Sequence, residues 1–302
     1  MSFLIFKVMN VSQVSYFTLS AYFDIGLFKY VVFLVIMCVY MFIIGSNVLL
    51  IAVICVNRSL HEPMFLFLCS LFVNQLVNLL VHSVSVPLCF LQIFCLYMYV
   101  NVEFYNLAVM SYDRYLAICH PLHYSTQMSL SMVVKLVVLS WCLPFVVIVG
   151  MIWLNVSSAL CGDVIDRVFC NNYYIALLSC IGATASNVYG LVYTFSVLFS
   201  LAALILYTYV KILQVCFSGS KETRQKAVST CTPHLVSLIN FSFGSFFAVL
   251  QSRFDMSRVP NVIRIILSLY FVTCQPLLNP LLYGLKLNKI QITCRTLFFG
   301  RK

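Results

Sequence analysis

Residues 30–57 read YVVFLVIMCVYMFIIGSNVLLIAVICVN, a segment of 28 residues without a charged side chain. A helix needs about 20 consecutive apolar residues to cross the ~30 Å hydrocarbon core of a bilayer, so this segment predicts one membrane-spanning helix. The whole chain has the same character, because 63% of its 302 residues are hydrophobic and only 9% are charged. Soluble proteins carry about 25% charged residues. The composition therefore excludes a water-soluble globule and predicts a protein embedded in lipid.

Further segments with few charges follow along the chain and predict seven helical spans in all. The predicted spans are 30–56, 64–82, 88–112, 134–154, 187–212, 227–250 and 262–283. The segment 115–134 is also free of charge, but its two His, its Pro and its Ser and Thr residues indicate a loop. We therefore predict an all-α membrane protein, a seven-transmembrane helix bundle that forms a single domain over residues 1–302.

The distribution of basic residues predicts the orientation of this bundle. Of the 18 Lys and Arg, 12 fall on the side of the C-terminal tail and 6 on the opposite side. Because basic residues concentrate in cytoplasmic loops, residues 1–29 are predicted to be extracellular and residues 284–302 to be a cytoplasmic tail. The net charge of +10 is then an orientation signal, and no nucleic-acid partner is predicted.

The predicted outer side carries two kinds of site that belong outside the cell. Asn10 and Asn155 each begin an Asn-X-Ser sequon, which predicts glycosylation at both. Four cysteines lie on the same side, where disulfide bonds persist. These cysteines are Cys89, Cys161, Cys170 and Cys180. Four cysteines allow three pairings, and their spacing alone selects none of them.

Four local strings add specificity to the topology. They are SLHEPMFLFL at Ser59–Leu68, MSYDRYLAICHPLHY at Met110–Tyr124, KAVSTCTPHL at Lys226–Leu235 and PLLNPLLYGLK at Pro276–Lys286. Together they resemble the signatures of the odorant (olfactory) receptor family, a branch of the rhodopsin-like (class A) G-protein-coupled receptors, and they look most like the fish members. The resemblance covers nearly the whole chain. Several long motifs in the correct order make it far more specific than Asp-Arg-Tyr alone.

The resemblance implies a receptor that binds a small odorant in the outer helical bundle. It further implies activation of a heterotrimeric G protein of the stimulatory olfactory type, which raises cyclic AMP in the sensory perception of smell. The implied location is the plasma membrane, in the cilia of olfactory sensory neurons. No catalytic residue, cofactor or metal site is expected, and the chain is not predicted to be an enzyme. A channel or transporter is the remote alternative, but the sequence lacks the inverted repeats typical of transporters.

The resemblance also assigns roles to particular residues. Asp113-Arg114-Tyr115 is implied to be the G-protein-coupling motif, in which the Arg is held by the Asp at rest and meets the G protein in the active state. Such an ion pair is bistable, and a ligand can bias it. The other implied switch residues are Tyr209, Asn279, Pro280 and Tyr283. The implied disulfide bonds are Cys89–Cys170 and Cys161–Cys180.

Glu103 is the single carboxylate in the middle of a predicted span. An ionisable group at that depth is costly in lipid and marks a functional site by default. In the resembled family a carboxylate here shares a sodium ion with an Asp of the second span, but Gln75 occupies the aligned position. Two readings stay open. Either Glu103 and Gln75 form a weak cation site, or Glu103 is a protonated, hydrogen-bonded buried acid.

A ligand pocket is predicted among the outer halves of spans three, five, six and seven, under the loop 155–186. The helical period of 3.6 residues selects the inward faces, and the selected set is mainly apolar with a few polar groups, as small-ligand sites usually are. The predicted lining residues are Leu96, Tyr97, Val100, Asn101, Phe104, Tyr193, Thr194, Val197, Ser245, Phe246, Val249, Ser268 and Val272.

The chain is short between Pro63 and Cys89. The 25 residues between them must supply the second span, a loop and the turn into the third span. Because a span alone needs about 20 residues, we expect poor delivery of the chain to the cell surface. The alternative to a signalling receptor is therefore a truncated or poorly functional receptor-like protein.

Overall fold

A computed structural model of the chain describes residues 15–19, 28–75, 83–156, 160–165, 167, 169–180, 184–218, 221–253, 259–286 and 288–299. The helices are α1 (Phe28–Val56), α2 (Pro63–Gln75), α3 (Val86–Cys119), α4 (Tyr124–Gln127), α5 (Leu130–Val156), α6 (Asn172–Leu177), α7 (Thr184–Ser218), α8 (Lys221–Arg253), α9 (Asn261–Lys286) and α10 (Asn288–Phe299). The strands are β1 (Tyr16–Leu19), β2 (Ser83–Ser85) and β3 (Val164–Ile165).

Helices α1, α2, α3, α5, α7, α8 and α9 form a bundle, which confirms the predicted fold class. Within the described residues, five helices are long and apolar enough to cross a membrane, and the bent helix α9 makes a sixth. Helix α3 lies in the middle and packs against α2, α5, α7 and α8. Large apolar side chains such as Phe33, Trp153 and Phe199 remain exposed on the bundle. In lipid these faces need no protein partner, because the acyl chains solvate them.

Helix α2 is described over Pro63–Gln75, 13 residues that rise ~20 Å at 1.5 Å per residue. Residues 76–82, the last part of the predicted span 64–82, lie outside the described residues. Strand β2 follows at Ser83.

The prediction that residues 115–134 form a loop is corrected by the structure, because most of this segment is helical. Helix α3 continues to Cys119, a 3₁₀ turn covers Pro121–His123, and α4 and α5 follow. The break falls at His120, whose φ of −132° and ψ of 54° are not helical. A residue that precedes a proline is disfavoured in the helical region, so Pro121 ends α3. The polar composition of this segment indicates a surface position and does not exclude helix.

Helix α9 bends by 42° between Tyr270 and Val272. Two prolines lie inside this helix, Pro276 and Pro280. The ring of Pro276 clashes with the carbonyl four residues earlier, that of Val272, and no backbone N–H is there to bond it. The bend therefore sits one turn before Pro276, as the sequence dictates.

The three strands form a small sheet that the all-α prediction omits. Strand β1 is central: Phe17 pairs with Val84 in antiparallel β2, and Leu19 pairs with Ile165 in parallel β3. Phe17 and Leu19 point inward and belong to a buried cluster with Cys89 and Ile165. We call this end of the bundle the outer end, and the end that carries Asp113 the inner end.

Candidate functional site

The inner end of α3 carries a compact polar cluster. Asp113 is fully buried, and one of its oxygens accepts a hydrogen bond from Arg114 Nε at 2.9 Å and a second, short one from an Nη of the same guanidinium. The other carboxylate oxygen accepts from the Tyr124 hydroxyl at 2.8 Å. Burial, and then the negative charge of Asp113, raise the pKa of the Tyr124 phenol, so it remains a donor at neutral pH. The carboxylate is therefore shared between a cation and a phenol.

The third residue of the motif, Tyr115, lies apart from this cluster. Its hydroxyl is 2.9 Å from His120 Nε2, and its ring lies 6.0 Å from that of Tyr207 on α7. It therefore ties the end of α3 to the fifth span, and within the described residues it makes no hydrogen bond to the Arg114 guanidinium.

Tyr209 on α7 is hydrogen-bonded to His234 on α8, with ring centroids 5.8 Å apart. The opposite ring nitrogen, His234 Nε2, lies 3.0 Å from the backbone carbonyl of Leu107 on α3. A carbonyl oxygen only accepts, so Nε2 carries the proton, and in the neutral ring Nδ1 accepts from the Tyr209 hydroxyl. His234 thus joins the third, fifth and sixth spans.

The implied switch residues of α9 are all buried near the bundle axis. Asn279 is fully buried and Tyr283 nearly so. The Tyr283 ring packs edge-on against Phe72 of α2, with 6.4 Å between ring centroids. Pro280 follows Asn279 within the helix and leaves its own position without a backbone donor. The motif therefore places an amide and a phenol against α2 and α3.

Glu103 lies fully buried at the centre of the bundle. Its carboxylate accepts from Asn74 Nδ2 at 3.2 Å, from Gln75 Nε2 at 3.2 Å and from Asn279 Nδ2 at 3.0 Å. Hard cations take oxygen ligands, yet three N–H groups face the carboxylate here. The residues present do not fit the sodium ion that the family resemblance implied. The structure therefore disfavours a cation site at Glu103 and Gln75.

Predicted pocket residues of the third and fifth spans meet one another. The Tyr193 hydroxyl donates to Asn101 Oδ1 at 3.0 Å, and Thr194 and Val197 lie half-buried on the same helix. The Tyr97 hydroxyl donates to Asn171 Oδ1 of the outer loop at 3.2 Å. These polar contacts hold the loop and α7 against α3.

Four apolar members of the predicted pocket join one cluster between α3, α8 and α9. Leu96 and Val272 are buried in it, and Val100 and Phe104 pack against them. The Phe104 ring lies 4.7 Å from that of Phe241 on α8. This part of the predicted pocket is therefore closed by side-chain packing.

The predicted inward face of the sixth span was wrong. The side chains of Phe246 and Val249 are 64% and 49% exposed on the outside of the bundle, and Ser245 is only half-buried. Phe241 and Gln251 face the interior instead. Residues 241–250 are apolar on nearly every side, so hydrophobicity does not reveal the phase of this helix, and polar residues mark the inward face instead.

A cleft of about 350 Å³, including its open mouth, lies at the outer end. Gln251 of α8 and Ser268 of α9 form its floor, and Gln251 Nε2 lies 3.2 Å from Ser268 Oγ. The residues lining the cleft are Arg167, Phe169, Asn171, Tyr174, Ala248, Gln251 and Ser268. Ser268 alone belongs to the set predicted from the sequence.

The outer loop is fixed by two disulfide bonds. Cys89 at the start of α3 is bonded to Cys170, and Cys161 is bonded to Cys180. This is the pairing that the family resemblance selected. Cys170 also donates its backbone N–H to Gln92 Oε1 at 3.0 Å. The loop that roofs the cleft is therefore attached to α3 by a covalent bond and a hydrogen bond.

The predicted glycosylation sites differ in what the structure says of them. Asn10 lies outside the described residues. Asn155 is only 2% exposed, and its Nδ2, the atom that carries a glycan, is hydrogen-bonded to Asn172 Oδ1. This burial corrects the prediction that Asn155 is glycosylated, because an acceptor site must be open to solvent.

Sequence reasoning missed several polar residues that the structure places inside the bundle. Ser237 and Asn240 on α8 bond to Gln275 on α9, and Gln251 forms the floor of the cleft. Polar side chains within membrane spans usually face the bundle interior. That rule, applied to each polar residue of the sixth and seventh spans, selects these positions without any motif.

A seven-helix bundle with a buried Asp-Arg pair at one end and a roofed cleft at the other defines the class of rhodopsin-like receptors. The fold agrees: squid rhodopsin superimposes with a TM-score of 0.62 at 15% identity, covering 86% of this chain and 78% of that chain. The profile of the olfactory receptor family matches residues 36–301, and the chain belongs to that family.

Curated relatives match along almost the full length. Olfactory receptor 5P60 of Mus musculus is 34% identical over 93% of this chain and 92% of its own length. Olfactory receptor 5P62 of Mus musculus is 31% identical over 97% and 98%, and Olfactory receptor 10J5 of Homo sapiens is 28% identical over 94% and 96%. The chain is therefore a multi-pass membrane protein and a G-protein-coupled receptor, a signalling protein and not an enzyme.

Proposed function

We propose that the chain is an odorant-activated receptor that couples to a stimulatory, olfactory-type G protein and raises cyclic AMP in ciliary membranes of olfactory sensory neurons. The observation that carries the proposal is the Asp113–Arg114–Tyr124 cluster. It holds an arginine at the inner end of α3, where a partner protein competes with Asp113 for the guanidinium. Such a cluster has two arrangements, and a ligand that favours one shifts the equilibrium.

The orientation proposed here places the sheet outside the cell. Both disulfide bonds lie at that end of the bundle, and disulfides persist in oxidising surroundings and not in the cytosol. The basic residues concentrate on the side of the C-terminal tail, as cytoplasmic loops require. Together these observations support an extracellular N-terminus and a cytoplasmic inner end.

The ligand site proposed here is the cleft above Gln251 and Ser268, extended toward Asn101 and Tyr193. The cleft combines aromatic walls with amide and hydroxyl groups, and such a mixture suits a small molecule with one or two polar atoms.

The decisive experiment is a cyclic-AMP assay with an odorant panel in cells that contain the olfactory G protein. The wild-type chain should respond to at least one member, and Arg114→Ala should abolish that response at equal surface level. Arg58→Ala is the matched control, since Arg58 is an exposed arginine near the same end. A response that survives the loss of Arg114 contradicts the proposed coupling mechanism.

A second candidate, a receptor-like protein that reaches the surface poorly, is favoured by the short interval of 25 residues between Pro63 and Cys89, which must supply the second span, a loop and the turn into the third span. Surface staining of intact cells separates the two candidates. Weak staining that improves when residues are inserted between Gln75 and Ser83 supports the second candidate. Robust staining of the chain as written contradicts it.

A further inference from the structure

A continuous row of hydrogen-bonded side chains runs from α9 to the centre of the bundle. Its first three bonds join the Tyr270 hydroxyl to Asn240 Oδ1 at 2.7 Å, Asn240 Nδ2 to Gln275 Oε1 at 2.6 Å and Gln275 Nε2 to Ser237 Oγ at 2.7 Å. Ser237 Oγ then donates to Asn279 Oδ1 at 2.8 Å. The last bond, from Asn279 Nδ2 to Glu103 at 3.0 Å, ends the row.

The direction of this row is fixed by a backbone group. Gln275 Nε2 also lies 3.2 Å from the backbone carbonyl of Ser237, which only accepts, so this end of the Gln275 amide is the donor. Its oxygen therefore faces Asn240 and accepts. The Asn240 amide is then oriented with its nitrogen toward Gln275 and its oxygen toward Tyr270, whose hydroxyl must donate. No alternative placement of amide N and O satisfies these contacts.

The same reasoning orients the groups around Glu103. Ser237 Oγ accepts from Gln275, so its own proton goes to Asn279 Oδ1, and the Asn279 nitrogen faces Glu103. On the other side, Asn74 Nδ2 donates to the backbone carbonyl of Tyr99 at 2.9 Å as well as to Glu103. Two backbone carbonyls thus force Asn279 and Asn74 to donate. Glu103 must accept from both.

We propose that Glu103 is the terminal acceptor of a directed hydrogen-bond chain, and that this chain, without a bound cation, holds the sixth and seventh spans together in the resting receptor. Four of its five bonds cross between α8 and α9, and the fifth joins α9 to α3. Any separation of α8 from α9 must break all four crossing bonds. The proposal deepens the proposed function by naming what resists activation, and it rests on that function for its signalling readout only.

Ser237 is the most informative position to change, because its hydroxyl both accepts and donates within the chain. Ser237→Ala removes two crossing bonds, so basal cyclic AMP should rise about two- to tenfold at equal surface level, as loss of one or two net hydrogen bonds predicts. Ser237→Thr keeps the hydroxyl and should restore most of the resting state. Ser242→Ala is the matched control, since Ser242 is exposed on the same helix.

The donor-to-acceptor direction of the hydrogen-bond chain is tested at Glu103, its last acceptor. Glu103→Gln places an N–H₂ group among donors whose direction is fixed, so the purified receptor should melt at least about 3 °C lower. Melting in sodium chloride and in choline chloride at equal ionic strength should give the same temperature for the wild type. Gln75→Asp restores a second carboxylate and should make the melting temperature rise in sodium.

These outcomes distinguish a failure of the hydrogen-bond chain from a failure of the proposed function. If no variant signals but Glu103→Gln and Ser237→Ala both lower the melting temperature, the proposed coupling is contradicted and the proposed hydrogen-bond chain is supported. A wild-type melting temperature that rises in sodium overturns the proposal, as does a Glu103→Gln variant as stable as the wild type. Basal signalling and melting that Ser237→Ala leaves unchanged overturn it as well.

Discussion

Asp113→Asn should raise basal signalling by about a factor of ten. The carboxylate is fully buried and accepts from Arg114 Nε at 2.9 Å and from the Tyr124 hydroxyl at 2.8 Å. An amide keeps the size of the side chain and an acceptor for Tyr124, but it loses the negative charge that holds the guanidinium. A hydrogen bond between charged groups contributes about 1.5–3 kcal/mol. At the lower end of that range, a resting active fraction of ~1% becomes ~10%.

The assay is basal cyclic AMP, divided by the surface level of each variant. Four forms are compared: the wild type, Asp113→Asn, Arg114→Ala and the double variant. Asp113→Asn should exceed the wild type, and both forms without Arg114 should be silent, because the freed arginine is what meets the G protein. Asp163→Asn is the matched control, since Asp163 is an exposed acid at the outer end.

Two results would refute this reasoning. Basal signalling of Asp113→Asn at or below the wild-type level would mean that the ion pair does not hold the resting state. Elevated signalling that persists in the double variant would mean that the carboxylate acts by some route other than restraining Arg114.

Three further predictions concern the outer end. Gln251→Leu should weaken the response to any active odorant about tenfold or more, since it removes the polar floor of the cleft, whereas Phe246→Ala should leave the concentration for half-maximal response unchanged. Phe17→Ala should reduce surface staining several-fold, because deleting a buried aromatic costs about 3–5 kcal/mol, and Tyr16→Ala, at an exposed neighbour, should not. Ser157→Ala should leave the glycan-dependent gel mobility unchanged, and a shift would show that the adjoining sequon is used.

The sequence predicted the bundle because each span is an uninterrupted apolar segment whose length the bilayer dictates. It predicted the Asp113–Arg114 pair because the surrounding string is long and specific. It did not predict β1, since a segment of four residues such as Tyr16–Leu19 is too short for its sequence to indicate which strands it pairs with. Those partners lie some 65 and 145 residues further along the chain. Pairings of such long range depend on the assembled bundle, and a short strand gains its stability only from them.

The prediction of which face of the sixth span points inward was wrong for a different physical reason. Hydrophobic periodicity locates the buried face of a helix in water, where apolar residues avoid the solvent. In lipid the solvent is apolar, so Phe246 faces outward at no cost and the interior takes the polar residues. The same inversion explains why Gln251 and Ser237 were overlooked. A rule that seeks apolar faces passes over the residues that carry the contacts.

One helix face connects the two ends of the receptor. Gln251 lies in the cleft, Asn240 and Ser237 form the hydrogen-bond chain, and His234 bonds Tyr209 near the inner end. Successive spacings of 11, 3 and 3 residues keep all four on one side of α8. A ligand in the proposed cleft would contact the same helix that carries the bonds of Ser237 and His234, so a preference for another position of α8 at Gln251 would have to strain both bonds.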